Sequence, residues 1–192
     1  RFLDRMVFGL DPAHAGRVSA YEHAMRERSR LLRDGEGDRT WLAALEGTMA
    51  ERGVAIAAAR RDMAVRLDDA CARSEGPFPA AALVMRGDLE VWLDQGPALA
   101  AEDRLRDGLA RSRPLDAMTG GAAVGPHRSD LVIRHRDKDA PAEQCSTGEQ
   151  KALLISIVLA HARLQREKRG TAPILLLDEI AAHLDAARRA VG

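Results

Sequence analysis

Cysteine is scarce in this chain: 192 residues contain two, Cys71 and Cys145. Two make no disulfide framework, and neither lies in a spacing that would hold zinc. Charge of one sign is lacking too, since 29 Lys and Arg balance 29 Asp and Glu and leave a formal net charge of zero. That removes any overall electrostatic argument for nucleic acid while leaving room for a local basic face. No apolar run approaches the about 18 residues needed to span a bilayer, and no signal-peptide pattern is present. These absences predict a soluble, cytoplasmic protein with no membrane partner. What remains, 46% hydrophobic and 30% charged, is a globular composition with enough chain for one ordinary core or two small ones. The opening "RFLDRM" reads as the middle of something, so a fragment of a longer protein is expected.

The first third has a helical pattern. From Thr40 onward Trp41, Leu45, Met49, Ile56, Met63 and Leu67 recur at multiples of three and four, and no proline intervenes before Pro77. A helix from about Thr40 to Arg73 would extend on the order of 50 Å. A shorter predecessor, roughly Arg17 to Arg33, carries Val18, Tyr21, Met25 and Leu32 at the same spacing, and "DGEGD" (34–38) separates the two. So short a link makes them antiparallel neighbours, a helical hairpin arm. Two helices of an ordinary bundle would show the same pattern, and Gly47 and Gly53 interrupt the seam.

After "EGPFP" (75–79) the character changes. "AALVMRG" has strand composition, 97–113 begins with proline and carries leucines at helical spacing, and "DLVIRHR" (130–136) alternates as a half-exposed strand does. From "CSTGEQKALL" (145–154) a further helix is expected, with Leu153, Leu154, Ile157, Val158, His161 and Leu164 facing the core. The apolar "PILLLD" (173–178) then reads as a buried strand. Helix, tight break and buried strand ending in acid is an α/β order. Three divisions are expected: a helical arm over 1–75, a mixed strand and helix region over 76–144, and a last part over 145–192.

Two places carry chemistry. Asp178 and Glu179 emerge at the carboxyl end of the expected strand, the edge where α/β sheets place ligands. In a nucleotide-hydrolysing site Asp178 would hold Mg²⁺ and Glu179 would orient or deprotonate the attacking water. A strand that simply ends in two solvated acids fits as well. Zinc at Glu179 and His183 does not, because no second histidine lies one helical turn away. The other place is the helix head at Ser146 to Gly148, where unsatisfied amide donors and the positive end of the dipole favour an anion. An N-cap by Ser146 or Thr147, with Glu149 favouring the dipole, explains those residues without any ligand.

"STGEQ" (146–150), "ILLLDE" (174–179) and "AAHLD" (181–185) resemble, in register, the signature motif, Walker B strand and D-loop of ATP-binding-cassette (ABC) ATPases. More narrowly, "RFLDRMVFGLDPAH", "YEHAMRERSRLL", "GPHRSDL" and "CSTGEQKALLISIVLAHARL" are similar to the RecF family of bacterial recombination mediators, across nearly the whole chain. The resemblance implies a mixed α/β chain made of a helical hairpin arm and part of an ABC-type ATPase head. It implies a homodimeric, DNA-binding ATPase that uses ATP and Mg²⁺ and acts with RecR and RecO in gap repair, RecA loading and the SOS response.

Roles carry over by resemblance. Ser146, Thr147, Gly148 and Glu149 would meet the γ-phosphate of ATP held by the other protomer. Asp178 would serve Mg²⁺ and Glu179 would act as the base, while His183, Leu184 and Asp185 would lie at the dimer interface. His127 and Arg128 of "GPHR" could contact phosphate, although a plain turn fits those residues equally well. The family's Walker A loop needs Gly-Lys-Ser/Thr, and the three lysines here, Lys138, Lys151 and Lys168, all lack a preceding glycine. That loop is expected upstream of Arg1, and the chain by itself is expected to be inactive. Two alternatives stand beside this reading: the head of another ABC-type ATPase of the chromosome-maintenance class, and a helical interaction module without chemistry.

Overall fold

In a computed structural model the described residues are 1–35 and 38–176. Their α-helices are α1 (Phe2–Leu10), α2 (Ala13–Asp34), α3 (Arg39–Ala72), α4 (Asp88–Gln95), α5 (Ala98–Thr119) and α6 (Thr147–Arg169). Their strands are β1 (Ala81–Arg86), β2 (Asp130–His135) and β3 (Ala140–Pro141), so the chain is of the mixed helix and strand class. They form two compact units interleaved along the chain, one of residues 1–61 and 85–130, the other of 62–84 and 131 onward. Helix α3 contributes to both.

The first unit is a helical bundle. Tyr21, Ala24, Arg28 and Leu31 of α2 recur at intervals of three and four, and Ala101, Leu105 and Leu109 of α5 at four, so each helix buries one stripe. Tyr21, Ala24, Ala101, Leu105 and Leu109 make one core with Met49, Ala50, Val54, Ile56 and Ala57 of α3 and Leu89 of α4. Gly53 belongs to that seam rather than interrupting it. A Cβ there would come within 3.0 Å of Leu105 and 3.2 Å of Tyr21, so the glycine sets how closely the three helices approach. One expected core position moves: Trp41 is 50% exposed and its neighbour Leu42 is buried. Leu42, Glu46 and Met49 define the buried stripe at this end of α3, and Trp41 lies one residue out of its register.

The same interior holds a polar network. Arg28, fully buried, donates from Nε to Glu46 at 2.9 Å, from one terminal nitrogen to Asp116 at 2.7 Å and from the other to the Leu109 carbonyl at 2.6 Å. Arg113 closes a second fork on Glu46 at 2.9 and 2.5 Å, and Asp116 also accepts from the Ser112 hydroxyl at 2.6 Å and the Ala123 amide at 2.9 Å. Helix α5 was expected to end at Arg113 but runs through Pro114 to Thr119. Proline forfeits one helical donor, and the bonds to Asp116 hold the turn that follows it.

The second unit contains the sheet, in the order β1-β2-β3. β2 and β3 are antiparallel, pairing Arg134 with Pro141 and His135 with Ala140. Asp68 accepts from the Leu83 amide at 2.8 Å and from Arg136 at 2.6 Å, fastening the end of α3 to the sheet. Helix α6 buries Ala152, Leu153, Ile155, Ser156, Ile157, Ala160 and Leu164. Leu154, expected in the core, is 48% exposed because the buried stripe turns through Ile155 and Ser156 instead. The start of the expected strand also differs. Residues 173–176 are neither helix nor strand, and Ile174 and Leu176 are 91% and 94% exposed. An apolar run becomes a buried strand only between neighbours that take up its amides and carbonyls, and no described strand pairs with this one. Among the described residues no helix is long and apolar enough to cross a membrane.

Removing the central guanidinium leaves Asp116 buried with neutral donors and takes one of the two cations from Glu46. Arg28→Ala should therefore cost about 3–5 kcal/mol, read from urea unfolding, and Arg28→Lys should recover only part of it because an ammonium cannot span three acceptors in one plane. A loss under about 1 kcal/mol would show that the network is marginal.

Candidate functional site

The head of α6 is a capping box. Ser146 adopts the extended conformation of an N-cap (φ −61°, ψ 155°), and its hydroxyl accepts from the Glu149 amide at 3.3 Å. In return Glu149 Oε2 accepts from the Ser146 amide and hydroxyl, each at 2.9 Å. Its other oxygen, Oε1, is paired with Lys138, which reaches it from the turn between β2 and β3. Lys138 and the two donors of Ser146 lower the Glu149 pKa to about 2, so the carboxyl is charged throughout the physiological range.

Ser146, Thr147 and Gly148 are exposed, and a Cβ built on Gly148 would meet nothing within 4 Å. Gln150 completes the turn, donating from its amide to the Ser146 carbonyl at 2.9 Å and from its side chain to the Cys145 carbonyl at 3.0 Å. This arrangement can present amides and one hydroxyl to an anion arriving from outside, at the positive end of a 23-residue helix. It is also a complete structural cap, so both sequence readings of these four residues fit one geometry. Lys138 carried no sequence signal beyond its place in the turn-forming "RDKD".

The "GPHR" segment, in the first unit, is a tight turn. Gly125 has φ +141°, and a Cβ there would overlap the Tyr21 hydroxyl and crowd His127, so only glycine fits. Pro126 to Arg128 form a short 3₁₀ turn. The His127 ring lies 3.0 Å from the Tyr21 hydroxyl through Nδ1 and 2.9 Å from the Ala122 carbonyl through Nε2. Burial of part of the ring lowers the His127 pKa and burial raises that of Tyr21. The imidazole is therefore neutral at pH 7, donating from Nε2 and accepting from the phenol at Nδ1. Arg60 donates to the Pro126 carbonyl at 2.6 Å and forks onto Asp4 at 2.8 Å through both Nε and a terminal nitrogen. Arg128 is exposed, and its Nε donates to the Ala122 carbonyl at 3.3 Å. Both His127 nitrogens thus serve the turn itself, and sequence reasoning missed Tyr21 and Arg60 as their support.

Asp178, Glu179, His183, Leu184 and Asp185 lie outside the described residues. Among the described residues no group of three His, Cys, Asp or Glu side chains could hold a metal ion.

The chain is 55% identical over 192 residues to a protein of Mesorhizobium japonicum named DNA replication and repair protein RecF, covering 99% of this chain and 51% of that one. The likeness to RecF holds from end to end of the chain. RecF proteins of Rhizobium rhizogenes and Brucella abortus are 53% and 55% identical, again over 99% of this chain. The chain spans about half the length of these RecF relatives, 51% and 50% of the last two. No family model matches. A solved structure described as the recombination mediator protein RecF-ATP in the RecFOR pathway shares the fold with a TM-score of 0.81 over 99% of this chain and 52% of its own, at 23% identity. A second, described as RecF-ATPrS in the same pathway, gives 0.80 at 21% identity over 96% of this chain and 50% of its own.

Glu149 has a lower pKa in the folded chain than the ordinary 4.5, so its contribution to stability is present above that value and is lost as pH falls toward about 2. A carboxyl NMR titration should find its midpoint near 2, and Lys138→Ala should move the midpoint upward. An ordinary midpoint in the unsubstituted chain would show that the ion pair does not persist in solution.

Proposed function

We propose that the chain is the arm and part of the head of a RecF-like, ATP-dependent DNA-binding recombination mediator, active as a homodimer in the cytoplasm. The observation that carries this reading is the end-to-end identity of 53–55% to proteins named DNA replication and repair protein RecF. The geometry at the head of α6 is compatible with it: an exposed serine hydroxyl, exposed glycine and helix amides suit the γ-phosphate of an ATP whose own P-loop lies in the other protomer.

In this reading Ser146, Thr147 and Gly148 close the sandwiched nucleotide in trans, and Glu149 orders the turn that presents them. Asp178 holds Mg²⁺, Glu179 is the base that orients or deprotonates the attacking water, and His183, Leu184 and Asp185 meet the partner protomer. The partners are DNA, RecR and RecO, and the biological setting is gap repair, RecA loading and the SOS response. His127 and Arg128 are the phosphate contacts of the Gly125–Arg128 turn, His127 committing both ring nitrogens to the turn and Arg128 its Nε.

Three outcomes test the assignment. The 192-residue chain, which contains no Gly-Lys-Ser/Thr, should hydrolyse ATP no faster than a blank. In the full-length protein Glu179→Gln should leave ATP binding and dimerisation in place and lower kcat by roughly 10²–10⁴-fold, read from steady-state hydrolysis. Ser146→Arg should abolish ATP-driven dimerisation in sedimentation while each protomer still binds ATP. If Ser146 served only as an N-cap, Ser146→Ala would cost about 1 kcal/mol of stability and dimerisation would persist.

A further inference from the structure

We propose that Lys138 is a positioning residue for the phosphate site at the head of α6, where it neutralises the Glu149 carboxylate that shares the donors of Ser146 with an incoming phosphate and receives that carboxylate when the phosphate displaces it. The inference rests on the trans phosphate reading and adds a residue outside the signature motif to it.

One carboxylate oxygen, Glu149 Oε2, accepts from both the amide and the hydroxyl of Ser146 at 2.9 Å. The hydroxyl carries a single proton. While that proton points at Glu149 it cannot point at a phosphate, so the cap and the ligand compete for it. Electrostatics sharpens the competition, because a carboxylate one helical turn from an arriving polyphosphate repels it. Lys138 is the cation the fold sets against that carboxylate, paired with Glu149 Oε1 from the turn between β2 and β3. Its own element is held there by Arg134, which pairs with Asp139 at 2.8 Å, and by the antiparallel register of β2 on β3. With Lys138 present, the turn and the helix head together carry no net charge from this pair, and Glu149 can swing toward the ammonium when its hold on Ser146 is released. With Lys138 absent, one uncompensated negative charge remains where the phosphate must sit.

The test is a double-mutant cycle in the full-length protein, with ATP-driven dimerisation followed by sedimentation as a function of ATP concentration. Lys138→Ala should raise the ATP concentration required by about tenfold or more, the effect expected of one unpaired like charge close to the ligand. Glu149→Gln keeps the capping box, since glutamine serves at that position, and removes the charge, so the double variant Lys138→Ala/Glu149→Gln should return to within about twofold of the unsubstituted protein. A purely structural lysine would not be rescued by neutralising its partner. Loss in Lys138→Ala without rescue in the double variant would overturn the proposal, because Lys138 would then act on the nucleotide directly. No effect of Lys138→Ala, with Ser146→Arg still abolishing dimerisation, would overturn it while leaving the trans phosphate reading intact. Normal dimerisation by Ser146→Arg would remove that reading and the proposal together.

Discussion

A single buried guanidinium organises the helical unit. Arg28 reaches from α2 to Glu46 on α3, to Asp116 on α5 and to a backbone carbonyl of α5, so the positions of three helices converge on one planar group. Taking that charge out of water is expensive, and the expense is offset only if each nitrogen finds an acceptor and the local charge sums to zero. Both conditions are met: Arg28 and Arg113 face Glu46 and Asp116, two cations against two anions. The directions of these forked hydrogen bonds add to the apolar packing in restricting the relative placement of α2, α3 and α5. The Gly125–Arg128 turn inherits that placement through Tyr21, seven residues before Arg28 on the same helix, and through Arg60 farther along α3.

The second unit is tied by separate bonds rather than by one buried hub. Asp68 ties the end of α3 to the β1 backbone and to Arg136, and the turn that follows Arg136 delivers Lys138 to the head of α6. The helix that presents Ser146 is therefore oriented from two sides, by its buried apolar stripe and by an ion pair at its first turn. An exposed pair of this kind contributes little to stability, so its effect is better sought in the charge it places beside the helix end than in the energy it adds to the fold.

Much of this was legible in the sequence where a local rule governs. The strands 81–86 and 130–135, the helix beginning after Pro97, the short link between α2 and α3 and the Ser146 cap each follow from periodicity, turn residues or capping chemistry within a few positions. What was illegible depends on distant partners. Arg28, Glu46 and Asp116 look like solvated charges on helical faces, and only their convergence over 88 residues of sequence makes them interior. Trp41 and Leu154 fit their apolar patterns as well as their buried neighbours do, and which side of the helix was covered decided against them. The apolar run at 173–176 has strand composition without strand structure, because composition describes what a segment can bury and pairing decides whether it is buried. The likeness to RecF supplied what local rules could not, since it relates motifs whose separation has no local meaning.

Capping and phosphate binding are usually weighed as rival explanations for a serine and glycine at a helix head, but here the proposed ligand would compete with only one of the two cap bonds of the hydroxyl. The lone pair of Ser146 takes the Glu149 amide, and its proton goes to the Glu149 carboxylate. Turning the proton toward an external oxygen leaves the lone-pair contact intact, so the helix keeps half of its cap while a ligand is bound. The other half, the carboxylate, moves away only if a cation receives it, and the structure sets Lys138 in contact with its second oxygen. In the proposed trans site the cap would hold the helix end while no phosphate is bound and give up its carboxylate half when one arrives. Ser146, Thr147 and Gly148 are costly inside a helix, but with Ser146 as its cap they can begin one of 23 residues.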